Sequence, residues 1–224
     1  MALKPQGNAG PAGQARATIL ARVRAATGGS TDAVQARAEW NAVPRTYRRH
    51  SEKTQADLLH LLTDRLCDYD AHVVQVPAAE VTDAIARMLQ ARGATRMLVP
   101  NGVHVQLPAG VEFVEDAGFS AAVLDTFGGI LTEANVAIAE TGTIVLQNVP
   151  GQGRRAATLV PDYHLCVIDA QDVVETVAEA MTRLQQTADL PTTFVSGPSA
   201  TADIEMTSIK GVHGPRFLDV VISC

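Results

Sequence analysis

Asn135-Val136-Ala137-Ile138-Ala139-Glu140-Thr141-Gly142-Thr143-Ile144-Val145-Leu146 is the stretch whose reading decides the fold. Two short apolar runs, 136–139 and 144–146, flank a polar hinge of one carboxylate, two hydroxyls and one glycine. Apolar, β-rich runs of this length, bounded by turn residues, predict buried strands. A glycine inside such a pattern marks a bulge, a tight bend or the close approach of a backbone or ligand. Glu140 is then a carboxylate on a buried segment, which must find a partner or change its pKa. A hydrogen bond to a neighbouring loop and a chemical role explain it equally well.

Outward from this stretch, strands alternate with helices. Before it, 73–76, 97–99 and 111–114 read as strands, 78–91 as a helix closed by Gly93, and 119–124 as a helical segment. After it, 153–160 reads as a short helix, 165–168 as a strand and 170–186 as a helix, with strands at 193–195 and 217–222. A helix opening at residues 51–54 carries Leu58, Leu59, Leu61, Leu62 and Leu66 as its buried stripe. The alternation predicts an α/β fold: a mostly parallel sheet with helices on both faces. The N-terminal region reads as an arm. Residues 1–11 have the composition of a disordered segment, and 12–26 that of a helix. Ser30 or Thr31 is placed to cap a second helix that carries Val34 and Trp40. The expected domains are therefore a partly helical extension at 1–42 and an α/β domain at 43–224, entered through the extended segment Val43-Pro44-Arg45-Thr46-Tyr47-Arg48-Arg49.

Composition narrows the function classes. With 224 residues, 46% of them hydrophobic, the chain suits one large domain with an extension. No apolar run approaches the ~20 residues of a membrane helix, and residues 1–11 contain no signal-peptide core; a cytoplasmic location without a membrane span is expected. The net charge of −6 is unevenly distributed: residues 1–60 carry nine Lys/Arg and four Asp/Glu, the remainder nine and twenty. The basic part suits an acidic partner or the acidic body of this same chain. Nucleic acid is disfavoured, because aromatics make up only 4% of the chain and do not interleave with the basic residues. The three cysteines, Cys67, Cys166 and Cys224, are far apart, so they supply neither a zinc nor an iron–sulfur ligand set. Cys166 reads as a small core residue.

Three polar loops carry the candidate chemistry. The first is the hinge itself, with Glu140 as candidate catalytic group and Thr141, Gly142 and Thr143 as candidate ligand contacts. The second is Asn148-Val149-Pro150-Gly151-Gln152-Gly153-Arg154-Arg155. Gly151, Gly153 and Arg154 there suit an anion held by backbone amides and a guanidinium; an exposed turn with solvated arginines is the alternative, and neither P-loop nor dinucleotide spacing is present. The third is Ser196-Gly197-Pro198-Ser199-Ala200-Thr201-Ala202-Asp203-Ile204-Glu205. Ser196, Gly197, Ser199 and Thr201 precede an expected helix start and suit either an anion or ordinary capping. Asp203 and Glu205 in that first turn would satisfy the helix dipole and oppose an anion. His213, between glycines in Gly211-Val212-His213-Gly214-Pro215, is placed to meet a ligand or to bond within its loop. No His/Asp/Glu spacing predicts a metal site, and Gly-x-Ser-x-Gly is absent.

These pieces together resemble one family. The segment from Ile130-Leu131-Thr132 through Leu146 is similar to the core signature of the lactate-utilisation (LUD) domain family. Residues 196–205 with 211–215 are similar to its second signature, and residues 43–48 to the entry segment of its short members. The length and the lack of cysteine clusters resemble those short members rather than the longer relative with ferredoxin-like motifs. Ala200 stands where relatives are expected to carry a basic residue. The resemblance implies a fold like the glucosamine-phosphate isomerase, ribose-phosphate isomerase and CoA-transferase group. It implies a non-redox subunit of a system that oxidises L-lactate to pyruvate, with iron–sulfur clusters on partner proteins and no cofactor on this chain. By analogy with the Glu-x-Gly turn of CoA-transferases, Glu140-Thr141-Gly142 suggests a second reading: a free-standing enzyme on a small anionic, phosphorylated or CoA-linked substrate. A third is a ligand sensor without turnover.

Overall fold

A computed structural model describes residues 11–28, 32–202 and 208–224. The chain divides into two units, Met1–Tyr47 and Arg48–Cys224. The first contains helices α1 (Pro11–Ala26) and α2 (Ala33–Ala42). Asp32 caps α2 by accepting a hydrogen bond from the Val34 amide; the expected caps Ser30 and Thr31 lie outside the described residues, as do residues 1–10. Beyond α2, the Arg45 guanidinium lies 4.9 Å from the centre of the Trp40 ring and donates to the carbonyls of Trp40 and Val43. Trp40 thus ties the end of its own helix to the segment that follows.

The second unit opens on α3 (Gln55–Asp68), whose first turn is closed by a Thr54–Asp57 capping box. Then come β1 (His72–Val76), a 3-10 turn, α4 (Val81–Arg92), β2 (Arg96–Val99), β3 (Glu112–Glu115), α5 (Ala121–Leu124) and β4 (Gly129–Glu133). After these follow β5 (Val136–Ile138), β6 (Thr143–Gln147), α6 (Arg155–Leu159), β7 (Tyr163–Asp169), β8 (Val173–Val174) and α7 (Val177–Leu184). The last strands are β9 (Thr192–Val195), β10 (Ala200–Ala202), β11 (Ser208–Lys210) and β12 (Phe217–Ser223).

Six strands form a parallel sheet in the order β1-β12-β7-β4-β2-β3. This is the α/β architecture that strand–helix alternation predicts. Its central strands are apolar on both faces because both faces are covered. Cys166, Ile168, Leu218, Val220 and Ile222 pack towards the α3 leucines and the inner residues of β5 and β6. The alternate residues Leu165, Val167 and Val221 pack on α4 through Val81, Ile85, Met88 and Leu89.

The opening stretch is not part of that sheet. β5 and β6 form an antiparallel hairpin at the centre of a second, four-stranded sheet ordered β8-β5-β6-β9. One face of the hairpin, Ala137, Ile144 and Leu146, meets the large sheet; the other, Val136, Ile138 and Val145, lies under Ala180 and Leu184 of α7. Burial on both faces is what makes the run continuously apolar. That same property hides from periodicity which sheet it joins.

Two expectations are corrected. Residues 170–186 are not one helix: Val173 and Val174 pair with Ala137 and Ile138 as β8, and α7 begins only at the Thr176–Glu179 capping box. A Thr-x-x-Glu signature inside the apolar run marks this boundary. Directly after Ser199 the chain is not helical: residues 200–202 form β10, paired with β11. The capping reading of Ser199 and Thr201 therefore falls, and Asp203 and Glu205 lie outside the described residues.

Candidate functional site

The hinge becomes the turn of the β5–β6 hairpin. Gly142 has φ +58°, and a Cβ there would stand 2.7 Å from Arg65 Cβ on α3, so the turn packs against that helix as only glycine allows. Glu140 is not buried: its side chain is 52% exposed and meets Arg48 Nη2 at 3.4 Å. The enclosed carboxylate is Glu175, just before α7, with a side-chain exposure of 2%. It accepts from Arg48 Nη1 at 2.6 Å and from Ser51 Oγ at 2.7 Å, and Lys53 Nζ lies 3.9 Å away. The Ser51 hydroxyl, and then Arg48, hold its carboxyl below the ordinary range against the opposing effect of burial. Glu175 therefore anchors residues 48–53 by its charge. A glutamate whose folded-state pKa is depressed contributes stability that is full above its unfolded value and is lost as the pH falls through the folded one. Glu175→Gln is expected to abolish this acid-dependent part of the stability below about pH 4, followed by urea unfolding across pH. A wild-type pH profile in this variant would refute the assignment.

A chain of hydroxyls leads away from the turn. Thr141 Oγ1 lies 2.7 Å from Thr143 Oγ1, which lies 2.8 Å from Ser196 Oγ at the end of β9. Ser196 is on the rim of a cavity of about 230 Å³. The loop 196–200 forms one wall and residues 213–215 another; α6 contributes Arg155, and the floor is His164 and Leu218. The two loops are laced together: the Ser199 amide donates to the Pro215 carbonyl at 2.8 Å, and the His213 amide to Ser199 Oγ at 3.1 Å. A wider groove of about 850 Å³ shares Arg155, Leu159, His213 and Gly214 with the cavity. Arg216 in that groove is neutralised by Asp162, whereas the Arg155 guanidinium makes no hydrogen bond or ion pair with a described residue.

The candidate residues thus divide. Thr141, Thr143, Ser196, Gly197, Ser199 and His213 come together at the end of the large sheet where β7 and β12 begin. Gly151, Gly153 and Arg154 lie by the other end, where β2 and β4 finish. There Gly151 backs onto the Glu133 carboxylate and Gly153 onto Pro100. Arg154 donates to Asp116 at 2.7 and 3.1 Å and to the Phe119 carbonyl at 2.6 Å. Burial raises the Asp116 pKa, but Arg154 and the amides of Gly118 and Phe119 outweigh it and hold the carboxyl below the ordinary range. Its anion is thus supplied by the protein. Thr201, on β10, is exposed and outside the cavity wall.

Sequence reasoning read both arginines of the Arg154-Arg155 pair as possible anion ligands and preferred Arg154, whereas it is Arg155, which opens α6 from the next position, that lines the cavity. It missed His164, whose signal was a polar residue inside the apolar run Tyr163-His164-Leu165-Cys166. Burial pushes the His164 imidazole down to about 4 and the Cys166 thiol up to about 12, so both are neutral at pH 7. Among the described residues, no three His, Cys, Asp or Glu side chains are arranged to hold a metal ion, and no helix is long and apolar enough to cross a membrane.

Comparison with known proteins bears on this site. The sequence profile of the LUD domain matches residues 121–223, a span that holds both the hairpin and the cavity walls. A lactate utilization protein C of Deinococcus radiodurans is 42% identical over 173 residues, covering 75% of this chain and 81% of that one. The chain belongs to the LUD domain family. A more distant LUD relative, lactate utilization protein C of Anoxybacillus flavithermus, is 27% identical over 88% of this chain and 94% of its own. The crystal structure of a DUF162 family protein from Deinococcus radiodurans is similar with a TM-score of 0.67 and 37% identity, over 77% of this chain and 99% of that one. The α/β fold of this chain therefore has an experimentally determined counterpart.

Proposed function

We propose that this chain acts in lactate utilisation as a non-redox subunit of a system whose iron–sulfur partner proteins oxidise L-lactate to pyruvate, and that its cavity binds a small anionic ligand. The names of the relatives support the process. The observation that carries the ligand is Arg155, whose guanidinium has no hydrogen-bond or ion-pair partner among the described residues, at a cavity edged by Ser196, Ser199 and His213. A guanidinium without an internal carboxylate, among hydroxyl donors, suits a carboxylate or phosphate. Three cysteines without cluster-ligand spacing support assigning the redox centres to the partners.

Size constrains the ligand. At about 230 Å³ the cavity is below the ~300–1,000 Å³ of sites for drug-sized ligands, which suits a small molecule. The nucleotide part of a CoA-linked compound would have to lie in the outer groove. For Glu140 to attack an acyl group, as the free-standing enzyme reading requires, Arg48 would have to release it.

The test is lactate-dependent reduction of a dye by the reconstituted system. Omitting this chain is expected to abolish it, and full activity of the partners alone would overturn the proposal. Arg155→Gln is expected to lower the activity at least tenfold while leaving the unfolding midpoint unchanged, because Arg155 is exposed.

A further inference from the structure

His164 is 1% exposed, yet it forms the floor of the cavity. Its Nε2 lies 2.8 Å from Thr132 Oγ1, and that hydroxyl also donates to Cys166 Sγ at 3.6 Å. Its Nδ1 has no hydrogen bond to a described residue. His164 lines the cavity, and Nδ1 is its ring nitrogen without a described partner, the one left for a ligand there. A buried imidazole nitrogen with no protein partner is costly unless water or a ligand satisfies it. The remaining floor residue, Leu218, offers no polar group, so Nδ1 is the hydrogen-bonding atom there. Arg155 stands on the wall formed by α6.

We propose that His164 is the specificity-determining residue of this cavity: the Thr132 hydroxyl, donating to Cys166, accepts from Nε2–H, so Nδ1 accepts a hydrogen bond from a hydroxyl group on a ligand whose anionic end is held by Arg155. The inference rests on the cavity being the ligand site. Thr132 fixes the ring through Nε2, so Nδ1 keeps one direction. Because burial holds the imidazole neutral at pH 7, recognition is by hydrogen bonding and not by charge. A ligand lacking the hydroxyl leaves Nδ1 unsatisfied in the complex, and sites built in this way discriminate strongly against such analogues.

The test uses the full chain and two probes, L-lactate and propionate, which share a carboxylate and differ by one hydroxyl. Wild-type protein is expected to bind L-lactate about tenfold more tightly. In protein labelled with 15N-histidine, the ring resonances absent from His164→Gln should shift with L-lactate and not with propionate. His164→Phe should bring the two affinities within about twofold of each other, whereas Arg155→Gln should weaken both acids by the same factor. The resonance shift is read in the wild-type chain, so the test stands even if His164→Phe does not fold. If the lactate preference survives in His164→Phe, or both acids shift the resonances alike, the role of His164 is overturned while the cavity reading stands. If Arg155→Gln changes neither affinity, or neither acid binds saturably, the cavity reading fails and this inference with it.

Discussion

Asp219→Ala is expected to cost about 3 kcal/mol of stability, the lower end of the range for breaking a buried ion pair. The Asp219 carboxylate, 2% exposed in the middle of the large sheet, accepts from Arg92 Nη2 at 2.6 Å and from the Tyr163 hydroxyl at 2.9 Å. Arg92 is in the last turn of α4, with its guanidinium 4.5 Å from the Phe217 ring centre and 5.5 Å from that of Tyr163. This one carboxylate therefore joins helix, sheet and aromatic cover. Removing it strands a guanidinium and a phenol in the interior. Arg92 keeps 30% of its side-chain exposure, which is why the lower end of the range applies. Urea unfolding should show a fallen midpoint at unchanged slope. Asp219→Asn, which keeps an acceptor for Tyr163, should fall between. A midpoint for Asp219→Ala equal to that of wild type would mean that this cluster contributes nothing to stability.

Gly197→Ala is expected to cost a similar amount, about 3 kcal/mol, from two sources. Its φ of +80° disfavours any side chain, and an added Cβ would overlap Tyr69 Cβ and stand 3.1 Å from the Tyr69 carbonyl oxygen. Gly93 isolates the first source: its φ is +63°, but nothing lies within 4 Å of where an added methyl would stand. Gly93→Ala should cost only about 1 kcal/mol, or roughly 2–4 °C in melting temperature for a chain of this size. The difference between the two variants measures the contact with Tyr69. Gly197→Ala should also disturb the Ser196–Thr143 hydrogen bond and with it the cavity wall. Equal losses in the two variants would show that the contact with Tyr69 costs nothing.

Most of the architecture was legible because strand and helix periods differ. The leucine stripe of α3, the helix ending at Gly93 and the apolar strands β7 and β12 all follow from spacing. What spacing could not carry was partnership. Val173 and Val174 fit a helical face as well as a strand, and only the free edge of β5 makes them β8. The charge at the hinge was read one residue too simply: Glu140 follows the buried Ala139 but points to solvent, and the enclosed carboxylate, Glu175, comes from a segment 35 positions later. The site showed the same pattern. Ser196, Ser199 and His213 were visible as polar loop residues, and the fold places them together. Arg154 and Arg155 are indistinguishable in sequence, and only the position of Asp116 reveals that the first is already engaged.

The order of the large sheet bears on how the chain comes into being. β12, spanning residues 217–223, lies between β1 and β7, and among the described strands it is the only one that β1 pairs with. A ribosome releasing this chain in sequence has produced β1 through β11 before that gap can be filled. Until then the nascent protein presents two unpaired strand edges, at β1 and β7, facing each other across an empty lane. Such edges invite foreign strands, and a closing contact between residues 72–76 and 219–223 spans most of the chain, the kind of pairing that folds slowly. The interval between synthesis and closure is therefore when this protein most needs protection from its neighbours.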